Sequence, residues 1–146
     1  MKISCKTLAL GLAALAALIQ LVPYGHSTAN PPARLEPVWD SPQTRALVVR
    51  ACFDCHSNET KWPWYSRVAP ISWLVQRDVV KGRRHLNFSE FNRPQRHAGD
   101  CAGEVSKGAM PMAIYLPAHP EARLTPAEKT NLIAGLKATF GESPRR

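Results

Sequence analysis

Material for a β-sheet is scarce in this chain. No run of alternating or continuous β-branched residues is long enough to supply the strands of a parallel sheet, which excludes architectures that alternate strands with helices. No acid–base pair or nucleophile constellation stands out either, so hydrolysis and group transfer have no support. Acidic side chains are outnumbered, 11 Asp and Glu against 19 Lys and Arg, for a formal charge of +8. The densest basic cluster, Lys81, Arg83, Arg84 and His85, is short and follows Gly82. It reads as a solvated helix end placed favourably on the dipole, not as a phosphate-binding patch, so nucleic acid is not an expected partner. Methionine is also rare, with Met110 and Met112 the only ones after Met1.

What is present is concentrated in five residues, Cys52-Phe53-Asp54-Cys55-His56. Two thiols at this spacing, followed at once by an imidazole, can hold a haem covalently through its vinyl groups and ligate its iron from the proximal face. Other chemistries use parts of the same string. A thiol redox site needs the parallel sheet that is missing. A structural zinc site could take Cys52, Cys55 and His56 with Cys101 as fourth ligand, but such sites space their second ligand pair more regularly. A plain disulfide is the blandest reading, and the adjacent histidine weighs against it.

The amino terminus is consistent with haem. Lys2 and Lys6 precede a stretch, residues 8–22, that is apolar apart from Gly11 and Gln20, and Ser27-Thr28-Ala29 offers small residues at a cleavage position. Haem attachment to such motifs belongs to the extracytoplasmic compartment, so residues 1–29 are expected to be an export signal or an inner-membrane anchor. The product is then periplasmic, soluble after cleavage or anchored. The apolar stretch is long for a signal core and short for a membrane span. Two of the eight charges sit in this segment, leaving +6 beyond it. That charge favours an acidic redox partner or an anionic membrane surface.

Residues 30–40, with Pro31, Pro32 and Pro37, predict an extended linker, residues 41–141 a single compact domain, and residues 142–146 a tail. Ser41 and Pro42 predict a helix start, with Leu47, Val48 and Ala51 on one face as the chain runs into Cys52. A second helix is expected over residues 70–81, buried through Trp73, Leu74 and Val80 and stopped by Gly82. Trp62, Pro63, Trp64 and Tyr65 form an aromatic knot that could wall a porphyrin or pack as ordinary core. Residues 83–99 lack a period and predict a surface excursion. The last helix is the best marked: Thr125 caps it, Pro126 starts it, Glu128 completes a capping box, and Gly141 follows an apolar stripe of Leu132, Ile133, Leu136 and Phe140. The expected fold class is therefore all-α, a small cytochrome-c-like helical domain wrapped around one covalently attached haem.

For the iron's other face, Met110 is the first choice. A thioether is a soft ligand that suits haem iron and raises its potential relative to a second histidine, and Pro111 disfavours helix at Met110, placing it in a loop. Met112, His119, His97 and His85 are alternatives, as is an open site. Cys101, four residues before Val105, reads as an inert thiol on a buried helix face.

These features together resemble the short bacterial haem-binding domain proteins, exported and similar to mono-haem c-type cytochromes. The resemblance covers most of the chain after the apolar stretch. It is carried by Asn30-Pro31-Pro32, the motif with Ser57 and Asn58, Trp62-Pro63-Trp64-Tyr65, Ala69-Pro70, Gly82, Leu86-Asn87-Phe88-Ser89, Met110-Pro111, Tyr115 and His119. Two positions depart from the pattern: Met112 stands near a second proline and Phe140 near a late tryptophan. The resemblance implies one haem c on Cys52 and Cys55, iron held by His56 and Met110, and an anchored or periplasmic location. With both axial positions filled, the expected role is single-electron transfer with donor and acceptor proteins, a carrier and not a catalyst. A haem peroxidase or gas sensor with an open distal site, and a haem-bearing subunit of a larger redox complex, are the competing roles.

Overall fold

The computed structural model describes residues 4–141, so the expected tail at 142–146 lies outside the described residues. Six α-helices occur among the described residues: α1 (Cys5–Ile19), α2 (Pro42–Ala51), α3 (Phe53–His56), α4 (Ile71–His85), α5 (Cys101–Ser106) and α6 (Pro126–Phe140). Among the described residues there is no strand, only one isolated bridge between Leu35 and Glu90. The fold class is all-α, as the shortage of strand-forming runs predicts.

The helix ends follow local chemistry. Ser41 caps α2, its Oγ accepting from Thr44 N at 3.2 Å, and Pro42 begins the helix where an amide hydrogen has no partner to lose. Thr125 and Glu128 form a reciprocal capping box on α6. Gly141, at φ +74°, closes it in a conformation that side chains disfavour.

The chain divides into two compact units. Met1–Ala29 with Trp62–Asp78 forms the first, and Asn30–Lys61 with Val79–Arg146 the second. In the second unit Val48, Phe53, Leu86, Phe88, Val105, Leu132 and Leu136 form the core. Rings of Trp39, Phe53, Phe91 and Phe140 gather around Phe88 at centroid distances of 5.4–6.4 Å, arrangements that add to simple burial. Residues 30–40 are extended, as their prolines dictate, but they are fastened along their length. Asn58 donates to Pro32 O, Arg34 N and Leu35 N donate to Ser89 O, and Trp39 reaches the core.

Two expectations for the middle of the chain are corrected. Gly82 does not stop α4, which begins at Ile71 and runs on to His85. A Cβ at residue 82 would run into the backbone carbonyl of Cys55, so the glycine serves close approach between helices instead of termination. Leu74 and Val80 are exposed, whereas Ser72 and Val79 are buried. Residues 83–99 are not a surface excursion throughout, because Leu86, Asn87, Phe88 and Ser89 are all buried. Their polar members satisfy each other: Asn87 Nδ2 donates to Asn58 Oδ1 at 2.8 Å, Ser89 N donates to Asn87 Oδ1 at 3.0 Å, and Asn58 N donates to Ser89 Oγ at 3.0 Å. A buried polar network of this kind hides a core segment from any reading based on hydrophobicity.

Candidate functional site

Cys52 is the hinge of the site. Its N–H bonds Val48 O at 2.8 Å and ends α2, while its own carbonyl accepts from Cys55 N and His56 N at 3.2 and 2.9 Å and starts α3. Cys52 and Cys55 therefore lie one turn apart with His56 directly after them, and no disulfide joins cysteines among the described residues. Burial, reinforced by Cys101 and Cys55, pushes the Cys52 thiol up to about 12, so it stays protonated.

His56 is held as a neutral imidazole. Its Nδ1 lies 3.0 Å from the carbonyl of Leu86. A carbonyl can only accept, so the proton belongs on Nδ1 and Nε2 keeps its lone pair. Burial lowers the imidazole's proton affinity in the same sense. The ring meets Phe88 edge-on with centroids 6.4 Å apart, and Phe88 N donates to His56 O at 2.8 Å. The buried segment 86–89 is thus what orients the histidine.

The second unit also braces the motif from residues that sequence patterns did not single out for this task. Arg83, assigned to a solvated helix end, donates from Nε to Ser57 O at 2.7 Å and from Nη2 to Asn30 Oδ1 and Thr60 Oγ1 at 2.7 and 2.9 Å. Burial lowers its proton affinity, though a guanidinium keeps its charge. Asp54, inside the motif, accepts from Lys61 N through Oδ1 at 2.9 Å and from the Tyr115 hydroxyl through Oδ2 at 2.6 Å. Burial and that carboxylate raise the Tyr115 phenol. The His119 ring stacks on Tyr115 with centroids 3.8 Å apart, and its Nδ1 lies 3.2 Å from Glu121 Oε1.

Met110 lies in the loop after α5, where its N–H and that of Ala109 share the Glu104 carbonyl at 3.2 and 3.0 Å, and its peptide bond to Pro111 is cis. Its side chain packs against the same core that Cys52 and Cys101 border, and it lines a cavity of about 170 Å³ with Val105, Leu116, Ala122 and Leu124. A wider groove of about 710 Å³ between α2 and α6 includes none of the motif residues. Of the other distal candidates, His85 and His97 stack on each other at 3.9 Å. Met112 O accepts from Tyr115 N at 2.9 Å.

Cys101 donates its thiol to Ala98 O at 2.8 Å and is pushed up to about 11 by burial, the environment of an unreactive thiol. No group of three or more His, Cys, Asp or Glu side chains that could hold a metal ion occurs among the described residues. The donor set fits a haem instead: two thiols on one turn, an imidazole with its tautomer set, and a thioether on a shared apolar core. A family model described as a haem-binding domain matches residues 14–138. No curated protein and no solved structure matches the chain.

Proposed function

The chain belongs to the haem-binding domain family, and from that premise we propose that it is an exported, mono-haem c-type cytochrome-like protein that passes single electrons. The observation that carries this reading is the hydrogen bond from His56 Nδ1 to Leu86 O, which leaves the Nε2 lone pair unprotonated one residue beyond two thiols on a single turn. Cys52 and Cys55 would hold the haem through thioether bonds to its vinyl groups, and His56 and Met110 would ligate its iron. The bound haem supplies a one-electron iron(III)/iron(II) couple. The protein's part is to hold both axial ligands, keep water from the iron and set the potential by ligand choice and burial. The net charge of +8 suits an acidic donor or acceptor. Residues 1–29 direct the chain to the periplasm, where such attachment takes place.

Acid-acetone extraction of protein made in a cytochrome-assembling host tests attachment: haem stays with the polypeptide, and changing Cys52 and Cys55 together to alanine releases it. The ferric spectrum tests the distal ligand. A low-spin form with a sulfur-to-iron charge-transfer band that disappears in Met110→Ala supports the assignment. Loss of the band in Met112→Ala instead overturns the choice of Met110, and a high-spin form that binds carbon monoxide rapidly overturns a filled distal site and favours the sensor or peroxidase role.

A further inference from the structure

We infer that the amino-terminal segment is retained in the mature protein and that the unit it builds with Trp62–Asp78 is docked on a lipid bilayer, with α1 in the hydrocarbon and the exposed aromatic side chains of Tyr24 and Trp64 at the membrane surface. The inference refines the export reading and does not depend on haem.

Retention follows from how the segment is bound. The side-chain amide of Gln20 addresses both backbone polar groups of Ala69, donating to its carbonyl at 3.1 Å and accepting from its N–H at 2.9 Å. Ala69 is buried in the full chain, and cleavage after Ala29 would strip both of its backbone polar groups of this partner. Five residues on, Gly25 is buried at φ +82°, with an ideal Cβ 2.7 Å from Trp73 Cδ1 and 3.0 Å from Trp73 Cα. Both the backbone angle and the space require glycine there. A disposable leader has no need of a paired amide and a fitted glycine. The family match begins at residue 14, inside α1, and so includes both positions.

The partner is read from the surface. No residue of α1 is buried, and Leu8, Leu10, Leu12, Leu15 and Leu18 are all exposed. Apolar all round and uncharged from Thr7 to Ala33, such a helix suits hydrocarbon and not water. Its 15 residues span roughly 22 Å, and no helix among the described residues is long and apolar enough to cross a membrane alone. Leu21 and Val22 continue the apolar run beyond its end. The rest of the unit carries what a membrane–water interface favours. Three of the four tryptophans, Trp62, Trp64 and Trp73, and two of the three tyrosines, Tyr24 and Tyr65, fall within it. Trp64 is 78% exposed, with Val68, Ile71 and Leu74 also exposed.

The test is fractionation of the full-length holoprotein followed by intact-mass measurement. The expected result is protein that stays with membranes through a high-salt wash, leaves them in detergent, and keeps the residues before Asn30. A mature chain beginning at or near Asn30 overturns the inference, and so does a full-length chain released by osmotic shock. In vesicles with brominated acyl chains, tryptophan emission is expected to be quenched, and less so in Trp64→Phe; unquenched emission overturns docking. A colourless but membrane-held, full-length protein would defeat the haem assignment and leave this one standing.

Discussion

The two units of this chain treat apolar side chains in opposite ways. In the second, Val48, Phe53, Phe88, Leu132 and Leu136 turn inward and build a core beside the Cys52–His56 turn. In the first, Leu10, Leu18, Trp64 and Ile71 turn outward. One unit buries its large apolar side chains and the other exposes them. The same residue type therefore has a different consequence in each, and substitutions can expose the difference.

The widest separation is expected between Leu132→Ala and Leu10→Ala. Leu132 is fully buried, so truncation costs roughly 2–5 kcal/mol, read from urea denaturation. Leu10, 72% exposed, changes the same measurement in detergent by no more than about 0.5 kcal/mol. Equal effects would erase the contrast. Gly82→Ala comes next, at about 1–3 kcal/mol, because its methyl group meets the Cys55 carbonyl. Haem incorporation should fall with it, whereas Gly11→Ala, with open space around it, should leave both unchanged. Tyr115→Phe removes one hydrogen bond to the Asp54 carboxylate and should cost about 1–2 kcal/mol. Haem should stay attached while the sulfur-to-iron band weakens, if the tie between this loop and the motif steadies Met110.

The smallest effect concerns pH. Burial lowers the proton affinity of His56 from a reference value of 6.5, so between the folded and unfolded values the unfolded chain binds more protons. Stability of the haem-free protein is then full above that reference value and declines as pH falls through it. A haem-free His56→Gln variant should show a flatter profile over the same interval, measured by thermal melting at constant ionic strength.

Several local decisions were legible before any fold was known. Ser41-Pro42 and Thr125-Pro126 announce their helices because capping and proline geometry act within one turn, and the motif announces the haem-binding family because its residues are adjacent in the chain. Gly82 misled because a helix stop and a close approach both call for a missing Cβ. Residues 86–89 misled because Asn87 and Ser89 look solvated until Asn58 meets them. Arg83 read as a surface charge because its acceptors on Asn30, Ser57 and Thr60 are remote in sequence.

By itself, then, the amino-acid order determined an all-α chain with two cysteines and a histidine on one turn, since both depend on contacts within a few residues. Only the tertiary structure decided which nitrogen of His56 carries the proton, where Gly82 belongs, and that Gln20 is spoken for by Ala69. Each of those outcomes rests on a partner 26 or more residues away, beyond the reach of any local pattern.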